Sequence, residues 1–442
     1  MDKENKSITI VVFGGTGDLI KRKLVPAFSN LLKSGTLGGE SRIIGIGRKD
    51  FSLEEYKKFL ANGDNKLIIN IEEMSIFYFK AEISQKNGLK ELKVFLDNIE
   101  NGEETNRIFY LATSYQFFPN IVNELKALGL NEQNNGFSRI AFEKPFGFSL
   151  ESSDELDERI KCVFPEERIF RIDHYLAKEV VQSIIKLKLN NKDFNNVLSN
   201  KFIESIKIIV DEELGVENRL NYYNNVGAIK DVIQSHLLQV LALLLMDVPD
   251  SLDADKIHNE KVKVLQAIDI GNINESFIGQ YKSYTNECKE AGLNLGKTET
   301  FSKIFLECKN ERWEGVKIIL QTGKKLARKR GQISINLKDK NKIIIGIYPK
   351  QDFKILINNG NSEHVNELKK LDLDAFKTKY FMPNTPDEYA TLLNEIIKGD
   401  KMLFSRYDEI QESWRIVEKI ESFKDKMRFV VYEDGQEPEK GL

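Results

Sequence analysis

The sequence predicts two kinds of domain in one chain: an α/β domain with a parallel sheet, then an α+β domain with a large antiparallel sheet and flanking helices. Up to about residue 180, short apolar segments alternate with helical patterns, which is typical of a parallel sheet covered by helices. Beyond that point, most strand-like segments follow one another directly, which is typical of antiparallel sheets. We place the two domains at residues 1–176 and 177–442.

The first domain is predicted from β-branched and aromatic segments separated by helical patterns. ITIVVF, residues 8–13, is a short apolar run that predicts a buried strand. Pro26 should kink the helix that follows, or tighten its start. Ser52 and Glu55 have the spacing of a capping box, which predicts where a second helix begins. Further strands are predicted at 42–47, 75–83, 107–113 and 138–146, and further helices near 85–98 and 116–129.

The second domain is predicted mainly from strands. The strand-like segments lie at 202–213, 261–268, 303–309, 315–323, 332–337, 342–348 and 353–359. Long helices are expected at 227–246 and 386–422. Residues 431–442 are polar and are expected to form a frayed tail.

Composition and charge argue against several classes of protein. The 442 residues carry a formal net charge of −3 with acids and bases interspersed, so we expect neither a nucleic-acid-binding protein nor a polybasic membrane protein. The longest apolar run, 237–246, is too short to span a bilayer and contains Gln239. The polar start MDKENK predicts no signal peptide.

Cysteine and histidine usage predicts a protein of the reducing cytoplasm without a metal. Cys162, Cys288 and Cys308 are scattered and have no CxxC spacing, so they predict neither a disulfide framework nor a zinc site. None of the four histidines stands in a metal-ligand pattern with another ligand residue.

A glycine-rich turn, GGTGDL, joins the first predicted strand to the first predicted helix. Glycine lets the backbone approach a pyrophosphate, and a helix N-terminus offers N–H groups to it. The spacing differs from GxGxxG, so a tight turn without a ligand is the alternative. The position after an N-terminal buried strand favours a Rossmann-like dinucleotide-binding domain. The residues expected to contact the cofactor in this turn are Gly14, Gly15, Thr16, Gly17, Asp18 and Leu19.

The end of the second predicted strand bears on the choice between two nicotinamide cofactors. An acidic residue there bonds the ribose 2′-hydroxyl of NAD, whereas an arginine suits the 2′-phosphate of NADP. Here the strand ends in Gly47-Arg48-Lys49, and the guanidinium of Arg48 can grip a phosphate. Asp50 keeps NAD possible, and a plain surface cation is the alternative for Arg48. We expect NADP, with NAD possible.

RIDHYLAKE, residues 171–179, collects two cations, two acids and one of the four histidines. Charge alone leaves open whether this is a solvated run or a site for an anionic substrate. The basic segment GKKLARK, 323–329, has the same two interpretations. His236 lies in an apolar helical pattern, where a lone histidine is more often a core residue.

Taken together, several segments resemble the glucose-6-phosphate dehydrogenase family, in the family's order and over both halves of the chain. RIDHYLAKE is the most specific of them, whereas GGTGDL alone would not suffice. The other segments are GGTGDLIKRKLVP (14–26), EKPFG (143–147), KDVIQSHLLQ (230–239), the stretch 298–326 and ESWRIVEKI (412–420).

The resemblance implies oxidation of glucose 6-phosphate at C1 to 6-phosphogluconolactone, the first oxidative step of the pentose phosphate pathway. It implies that His236 is the base and that Asp173 orients it. Histidine suits this role because its unperturbed pKa, ~6.5, lies near neutral pH. Lys144 would lie between sugar and nicotinamide and contact both, and Pro145 is expected to be cis.

The resemblance also implies which residues bind the sugar. Those assigned to its phosphate are His174, Tyr175, Lys178 and Lys329. Those assigned to its hydroxyls, or to ordering the site, are Glu212, Asp231 and Lys324. If 174–178 form a helical turn, His174 and Lys178 share one face of it.

Departures from the family pattern leave alternatives open. The departures are Ala177 in place of Gly, Ser235 in place of Asn, and Thr113-Ser114 in place of Pro-Pro. A dehydrogenase for another sugar phosphate is one alternative. A catalytically silent sensor is another, although it would normally have lost His236 or Asp173.

Family members are usually dimers or tetramers through the sheet, so we expect a homodimer or homotetramer.

Overall fold

The computed structural model describes residues 7–38, 40–61, 71–72, 74–102, 105–133, 136–294, 296–358, 366–367 and 388–438. In chain order, the strands are β1 (Ile8–Phe13), β2 (Arg42–Gly47), β3 (Ser75–Lys80), β4 (Asn106–Leu111), β5 (Ser138–Phe142), β6 (Ile169–Ile172), β7 (Ile203–Asp211), β8 (Ile268–Ile270), β9 (Phe277–Tyr281), β10 (Phe301–Cys308), β11 (Lys317–Gly323), β12 (Arg330–Leu337), β13 (Lys342–Tyr348), β14 (Asp352–Ile357), β15 (Asn366–Glu367), β16 (Phe404–Ser405) and β17 (Arg428–Tyr432).

The α-helices, in chain order, are α1 (Val25–Lys33), α2 (Leu53–Ala61), α3 (Leu92–Glu100), α4 (Phe118–Ala127), α5 (Leu150–Lys161), α6 (Glu179–Asn190), α7 (Lys192–Val197), α8 (Leu220–Tyr223), α9 (Leu238–Leu245), α10 (Ala254–Ala267), α11 (Tyr284–Glu290), α12 (Glu388–Lys398) and α13 (Tyr407–Ser422). Ile20–Leu24 and Ile229–Leu237 are π-helical and lead directly into α1 and α9. In the part of the chain that the structure describes, no helix combines the length and the apolar character that crossing a membrane requires.

The chain forms two compact units. The first comprises Met1–Gly147, Glu151–Ala177 and Pro386–Arg406, and the second comprises Phe148–Leu150, Lys178–Thr385 and Tyr407–Leu442. The return of residues 388–406 to the first unit was not anticipated from the sequence. The domain boundary between residues 176 and 177 stays a prediction.

The first unit is built on a mainly parallel sheet, as predicted. The strand order is β16-β6-β5-β4-β1-β2-β3, and every pairing is parallel except that of β16 with β6. β1 lies inside the sheet and all its residues are buried, which explains its unbroken apolar sequence. α12 contributes Leu392, Leu393 and Ile396 to the same core, so its apolar face explains why this late segment belongs to the first unit.

One local prediction for the first unit is confirmed. Ser52 N donates to Glu55 Oε2 at 2.8 Å, and Glu55 N donates to Ser52 Oγ at 3.3 Å, so the capping box is formed. Pro26 lies where the π-helical turn passes into α1, inside helical structure that begins at Asp18, so the kink or tightened start expected from this residue stays a prediction.

The second unit is built on a mostly antiparallel sheet, as predicted. The strand order is β15-β14-β13-β12-β7-β11-β10-β9-β17, with β8 paired to β10. The exceptions are β7 with β11 and β9 with β17, which are parallel pairs. The ends of β7, β11 and β13 carry residues of the candidate site.

Two predictions of strands and helices in the second half of the chain are wrong. Residues 261–267 belong to α10, because its buried residues Ile257, Lys261, Val264 and Leu265 have helical spacing; the alternation in KVKV is too short to outweigh it. The single helix expected at 386–422 is two helices with β16 between them, and Gly399 ends α12 with a φ of +83°. Residues 386–387 lie outside the described residues.

The expected frayed tail is instead held in place as far as it is described. Residues 428–432 form β17 and pair with β9. Asp434 then forms an ion pair with Lys325 at 3.1 Å, and Gly435 N donates to the Lys325 carbonyl at 2.8 Å. Residues 439–442 lie outside the described residues.

Candidate functional site

The glycine turn after β1 fits tightly against neighbouring backbone. Gly14 has a φ of +89°, and a Cβ there would lie 2.3 Å from the Ala112 carbonyl oxygen. A Cβ at Gly15 would lie 2.6 Å from Gly45 Cα. Gly15 N donates to the Ile46 carbonyl at 2.7 Å, so the turn is closed against the end of β2. Packing therefore requires glycine at 14 and 15, whether or not a ligand approaches.

The rest of the turn leads into the helix that ends with α1. A Cβ at Gly47 would lie 2.7 Å from Thr16 Cγ2, so Thr16 lies at the end of β2. Helical structure begins at Asp18 and continues through Leu19. Asp18 is largely exposed and its carboxylate lies 3.0 Å from Arg22 Nε. The first-turn amides of such a helix have no helical acceptor, which suits an anionic phosphate.

The end of β2 presents two exposed cations. Arg48 and Lys49 are both exposed, and Tyr78 donates to the Lys49 carbonyl at 2.7 Å. The carboxylate of Asp50 lies 2.8 Å from Lys80 Nζ, so its charge is already compensated. Two exposed cations beside a compensated carboxylate suit the 2′-phosphate of NADP better than the neutral ribose 2′-hydroxyl of NAD.

The EKPFG segment follows β5 and carries Lys144. The Lys144–Pro145 peptide bond is cis, as expected. The preceding residue, Glu143, accepts a hydrogen bond of 2.5 Å from the hydroxyl of buried Tyr110, and Tyr389 of α12 also donates to it. Burial raises the pKa of Glu143 to about 7; Tyr110, Lys144 and Tyr389 counter this effect, and Asp173 adds to it.

RIDHYLAKE begins with a buried arginine at the end of β6 and continues into a turn. Arg171 is buried, and its guanidinium bonds Glu166 Oε1 at 2.6 Å and Asp157 Oδ1 at 2.5 Å. Arg171 therefore fixes the end of β6, a role that the sequence did not suggest. Asp173 is buried directly after this strand, and its Oδ1 accepts the Tyr175 N–H at 3.0 Å.

His174 and Lys178 do not lie on one helical face. Residues 174–177 form a turn, and α6 begins only at Glu179. The Leu176 N–H donates to the Asp173 carbonyl at 3.0 Å, which closes that turn. Within the first unit, the rings of His174 and Tyr175 lie edge to face at 5.0 Å.

The second unit brings Lys178 and Lys329 to one aromatic ring. Their ammonium nitrogens lie 5.8 Å and 5.7 Å from the centroid of Tyr348, at the end of β13. A Cβ at Gly331 would lie 2.4 Å from this ring, so the glycine on the paired strand makes room for it. Tyr348 was not among the predicted site residues, because its role appears only once β12 and β13 are paired.

Lys324 and Glu212 form a salt bridge at the ends of β11 and β7. Lys324 Nζ donates to Glu212 Oε2 at 2.6 Å, and it lies 5.3 Å from the ring centroid of Tyr223. Lys324 is buried, whereas the side chain of Glu212 is 36% exposed, so water screens this pair in part. Two predicted sugar-binding residues are thus neighbours in the structure.

Asp231 and His236 lie on the π-helical segment Ile229–Leu237, and both are buried. π-Helical turns are uncommon and often mark functional sites. Asp231 Oδ1 lies 3.7 Å from Arg219 Nη2. Ser235 donates to the Asp231 carbonyl at 3.2 Å, so its hydroxyl is used within the helix.

Comparisons with known proteins agree with this organisation. The family model "Glucose-6-phosphate dehydrogenase, NAD binding domain" matches residues 11–183, and "Glucose-6-phosphate dehydrogenase, C-terminal domain" matches residues 185–441. Glucose-6-phosphate 1-dehydrogenase of Bacillus subtilis is 34% identical over 447 aligned positions, which cover 93% of this chain and 90% of that protein.

Solved structures give the same result. A glucose-6-phosphate dehydrogenase in complex with its substrate glucose 6-phosphate superposes with a TM-score of 0.84 at 29% identity, over 98% of this chain and 95% of that one. Glucose-6-phosphate 1-dehydrogenase from Mycobacterium avium gives a TM-score of 0.81 at 29% identity, over 97% and 95% of the two chains. These are the proteins to which this chain is similar.

Proposed function

This chain belongs to the glucose-6-phosphate dehydrogenase family, and on that premise we propose which of its residues perform the reaction. The enzyme is an oxidoreductase that acts on a CH–OH group, and it oxidises glucose 6-phosphate at C1 to the lactone with a nicotinamide dinucleotide as acceptor. The observation that carries this conclusion is the pair of family matches over residues 11–183 and 185–441.

We propose that His236 removes the proton of the C1 hydroxyl. When bound, the nicotinamide supplies the acceptor for the hydride that leaves C1. The family resemblance supports Asp173 as the carboxylate that orients His236 and stabilises its protonated form. Lys144 is proposed to contact the reacting hydroxyl and the cofactor. The charge of Lys144 lowers the pKa of the neighbouring Glu143.

The sugar phosphate is proposed to bind His174, Tyr175, Lys178 and Lys329. Support for the two lysines comes from their common position at the Tyr348 ring, because two cations held together favour a dianion. The hydroxyls are proposed to bind Glu212, Asp231 and Lys324. The short Lys324–Glu212 bridge supports this, because a fixed donor and acceptor side by side match a row of hydroxyls.

We propose NADP as the preferred cofactor, with the diphosphate at residues 14–19 and the 2′-phosphate at Arg48. The turn passes into helical structure at Asp18, and the first-turn amides of that helix have no helical acceptor, which suits a diphosphate. R48A should lower kcat/KM for NADP by about 10-fold or more and leave NAD nearly unaffected. K49A, which removes the adjacent exposed cation, is the matched control. An unchanged NADP:NAD ratio in R48A would refute the role of Arg48.

Turnover tests the function directly. Purified protein with glucose 6-phosphate and NADP or NAD should produce reduced cofactor, measured by its absorbance; no turnover with either would contradict the activity. H236N should lower kcat by about 100-fold or more and change KM little. H258N removes another buried histidine and should retain kcat per folded molecule.

Assembly and location are also proposals. We propose a homodimer or homotetramer, which light scattering of the purified protein would test. A cytoplasmic location is supported by the three cysteines, all of which are free. Fractionation of cells that produce the protein would test it.

A further inference from the structure

Glu299, two residues before β10, lies against the N-terminal end of the helical segment that carries Asp231 and His236. We propose that Glu299 is a positioning residue for this segment, and that Lys424 holds it in place. The inference rests on the proposed role of His236. Neither Glu299 nor Lys424 belongs to the set of residues that was assigned to substrate or cofactor.

Glu299 bonds the backbone where the segment begins. Ile229 N donates to Glu299 Oε1 at 3.1 Å, and Ala228 N donates to the Glu299 carbonyl at 2.9 Å. Gly227 has a φ of +68°, and a Cβ there would lie 2.3 Å from the same Oε1. The carboxylate therefore lies directly against the entry to Ile229–Leu237, and a shift of Glu299 would shift the start of this segment.

Lys424 holds the carboxylate from the other side. Its Nζ lies 2.5 Å from Glu299 Oε2 and 3.3 Å from Glu421 Oε1. Glu299 has no exposed surface, and burial raises its pKa, whereas Lys424 counters this effect and Glu421 adds to it. A buried carboxylate with one cationic partner is costly to move, because movement would separate the two charges in a poorly screened environment.

The next residue, Thr300, extends the same support to Lys324. Lys324 N donates to the Thr300 carbonyl at 2.9 Å. Tyr432 of β17 donates to the Lys324 carbonyl at 2.7 Å, and its hydroxyl lies 3.0 Å from Thr300 Oγ1. Residues 299–300 thus hold both the segment of His236 and the segment of Lys324. A displacement of about 1 Å in such a framework can lower a rate by about 100-fold.

The test compares E299L, E299Q and K424M with the wild type. E299L removes both the charge and the acceptor for Ile229 N, and we expect kcat per folded molecule to fall by about 10-fold or more, with KM for the nicotinamide cofactor within about twofold. E299Q keeps an acceptor oxygen and should lie between E299L and the wild type. K424M should resemble E299Q, because Lys424 acts through the carboxylate. The double variant E299Q/K424M should then be no slower than the slower single variant.

K261M is the control for stability, because it breaks another buried Lys–Glu pair of the second unit that makes no hydrogen bond to residues 227–229. If E299Q, E299L and K424M lowered the unfolding free energy as K261M does but kept wild-type kcat, Glu299 would be merely structural and the inference would be refuted. If E299L did not fold, E299Q and K424M would decide. Absence of turnover in the wild type would refute the proposed function instead.

Discussion

Glu143 in the first unit is partly buried and Glu409 in the second is fully buried, and the pKa values of the two carboxyls are shifted in opposite directions. Burial raises the pKa of Glu143 to about 7, and its partners only partly offset that effect. Burial would also raise the pKa of Glu409, but Lys261 and His258 outweigh it and lower the pKa to about 2. Lys261 Nζ lies 2.7 Å and His258 Nδ1 2.5 Å from its two oxygens.

The difference separates a structural cluster from a functional neighbourhood. Glu409 bonds both His258 and Lys261, which joins α13 to α10, and all three residues are buried. Glu143 instead adjoins Lys144 and is influenced by Asp173, two residues that we propose act in catalysis. An incompletely compensated carboxyl is costly for stability, and such groups are concentrated at functional sites. The comparison therefore supports a role for the Glu143 neighbourhood beyond packing.

The largest expected effect is the loss of stability when the Lys261–Glu409 ion pair is broken. K261M leaves the Glu409 carboxylate buried with only His258 beside it, so we expect the free energy of unfolding to fall by about 3–5 kcal/mol. Denaturant unfolding monitored by circular dichroism measures this. The double variant K261M/E409Q removes both charges and should recover part of the loss. A K261M protein as stable as the wild type would show that the cluster is not a stabilising pair.

Acid should weaken the same cluster. The pKa of Glu409 is lowered from 4.5 to about 2, so its contribution is present above pH 4.5 and is lost as pH falls towards 2. The shift corresponds to roughly 3 kcal/mol over that window. Unfolding free energies between pH 5 and about 2.5 should therefore fall more steeply in the wild type than in E409Q. Equal slopes would contradict the lowered pKa.

The free energy of unfolding should depend on the titration of Glu143 in the opposite direction, falling as pH rises. Its folded pKa of about 7 lies above the ordinary 4.5, so the folded state binds the extra proton and stability falls as pH rises from 4.5 to 7. We expect the wild type to lose roughly 2 kcal/mol relative to E143Q across this window, after allowance for partial exposure. Paired unfolding curves at pH 5 and about pH 8 test this. A wild type that gained stability relative to E143Q would reverse the comparison.

The smallest expected effect concerns Tyr389, whose hydroxyl lowers the pKa of Glu143. Y389F should move the upper end of the pH window above 7 and change the free energy of unfolding by less than about 1.5 kcal/mol at pH 8. Y56F removes another buried hydroxyl of the first unit, which bonds the Gly15 carbonyl, and should leave the window unchanged. An unchanged window in Y389F would show that the hydroxyl does not support the carboxylate.

Local patterns predicted much of this molecule, and long-range contacts account for most of what they missed. The ranges of β1, β2 and β13 agree with prediction because apolar runs and their flanking residues mark strands strongly. Ser52 and Glu55 of the capping box are only three positions apart, so this motif could also be predicted from the sequence. The strand predicted at KVKV, residues 261–264, was wrong because a four-residue alternation of polar and apolar residues fits either a strand or a helix with one buried and one exposed face.

The missed parts of the site depend on partners far apart in sequence. Glu299 and Ile229 are 70 positions apart, and nothing in the sequence around either residue predicts the hydrogen bond between them. Tyr110 and Glu143 are 33 positions apart on neighbouring strands. Tyr348 becomes part of the lysine cluster only through the pairing of β12 with β13. The roles of these residues could be assigned only from the three-dimensional arrangement.

The positions of β16 and β17 have a consequence for synthesis on the ribosome. β16 completes one edge of the first sheet and β17 one edge of the second, and both are made after all the other described strands. A nascent chain that has been translated to residue 400 therefore carries two sheets with open edges, which are prone to mispairing. Neither unit can finish folding from its N-terminal part alone, because β16 and β17 come from residues 404–405 and 428–432.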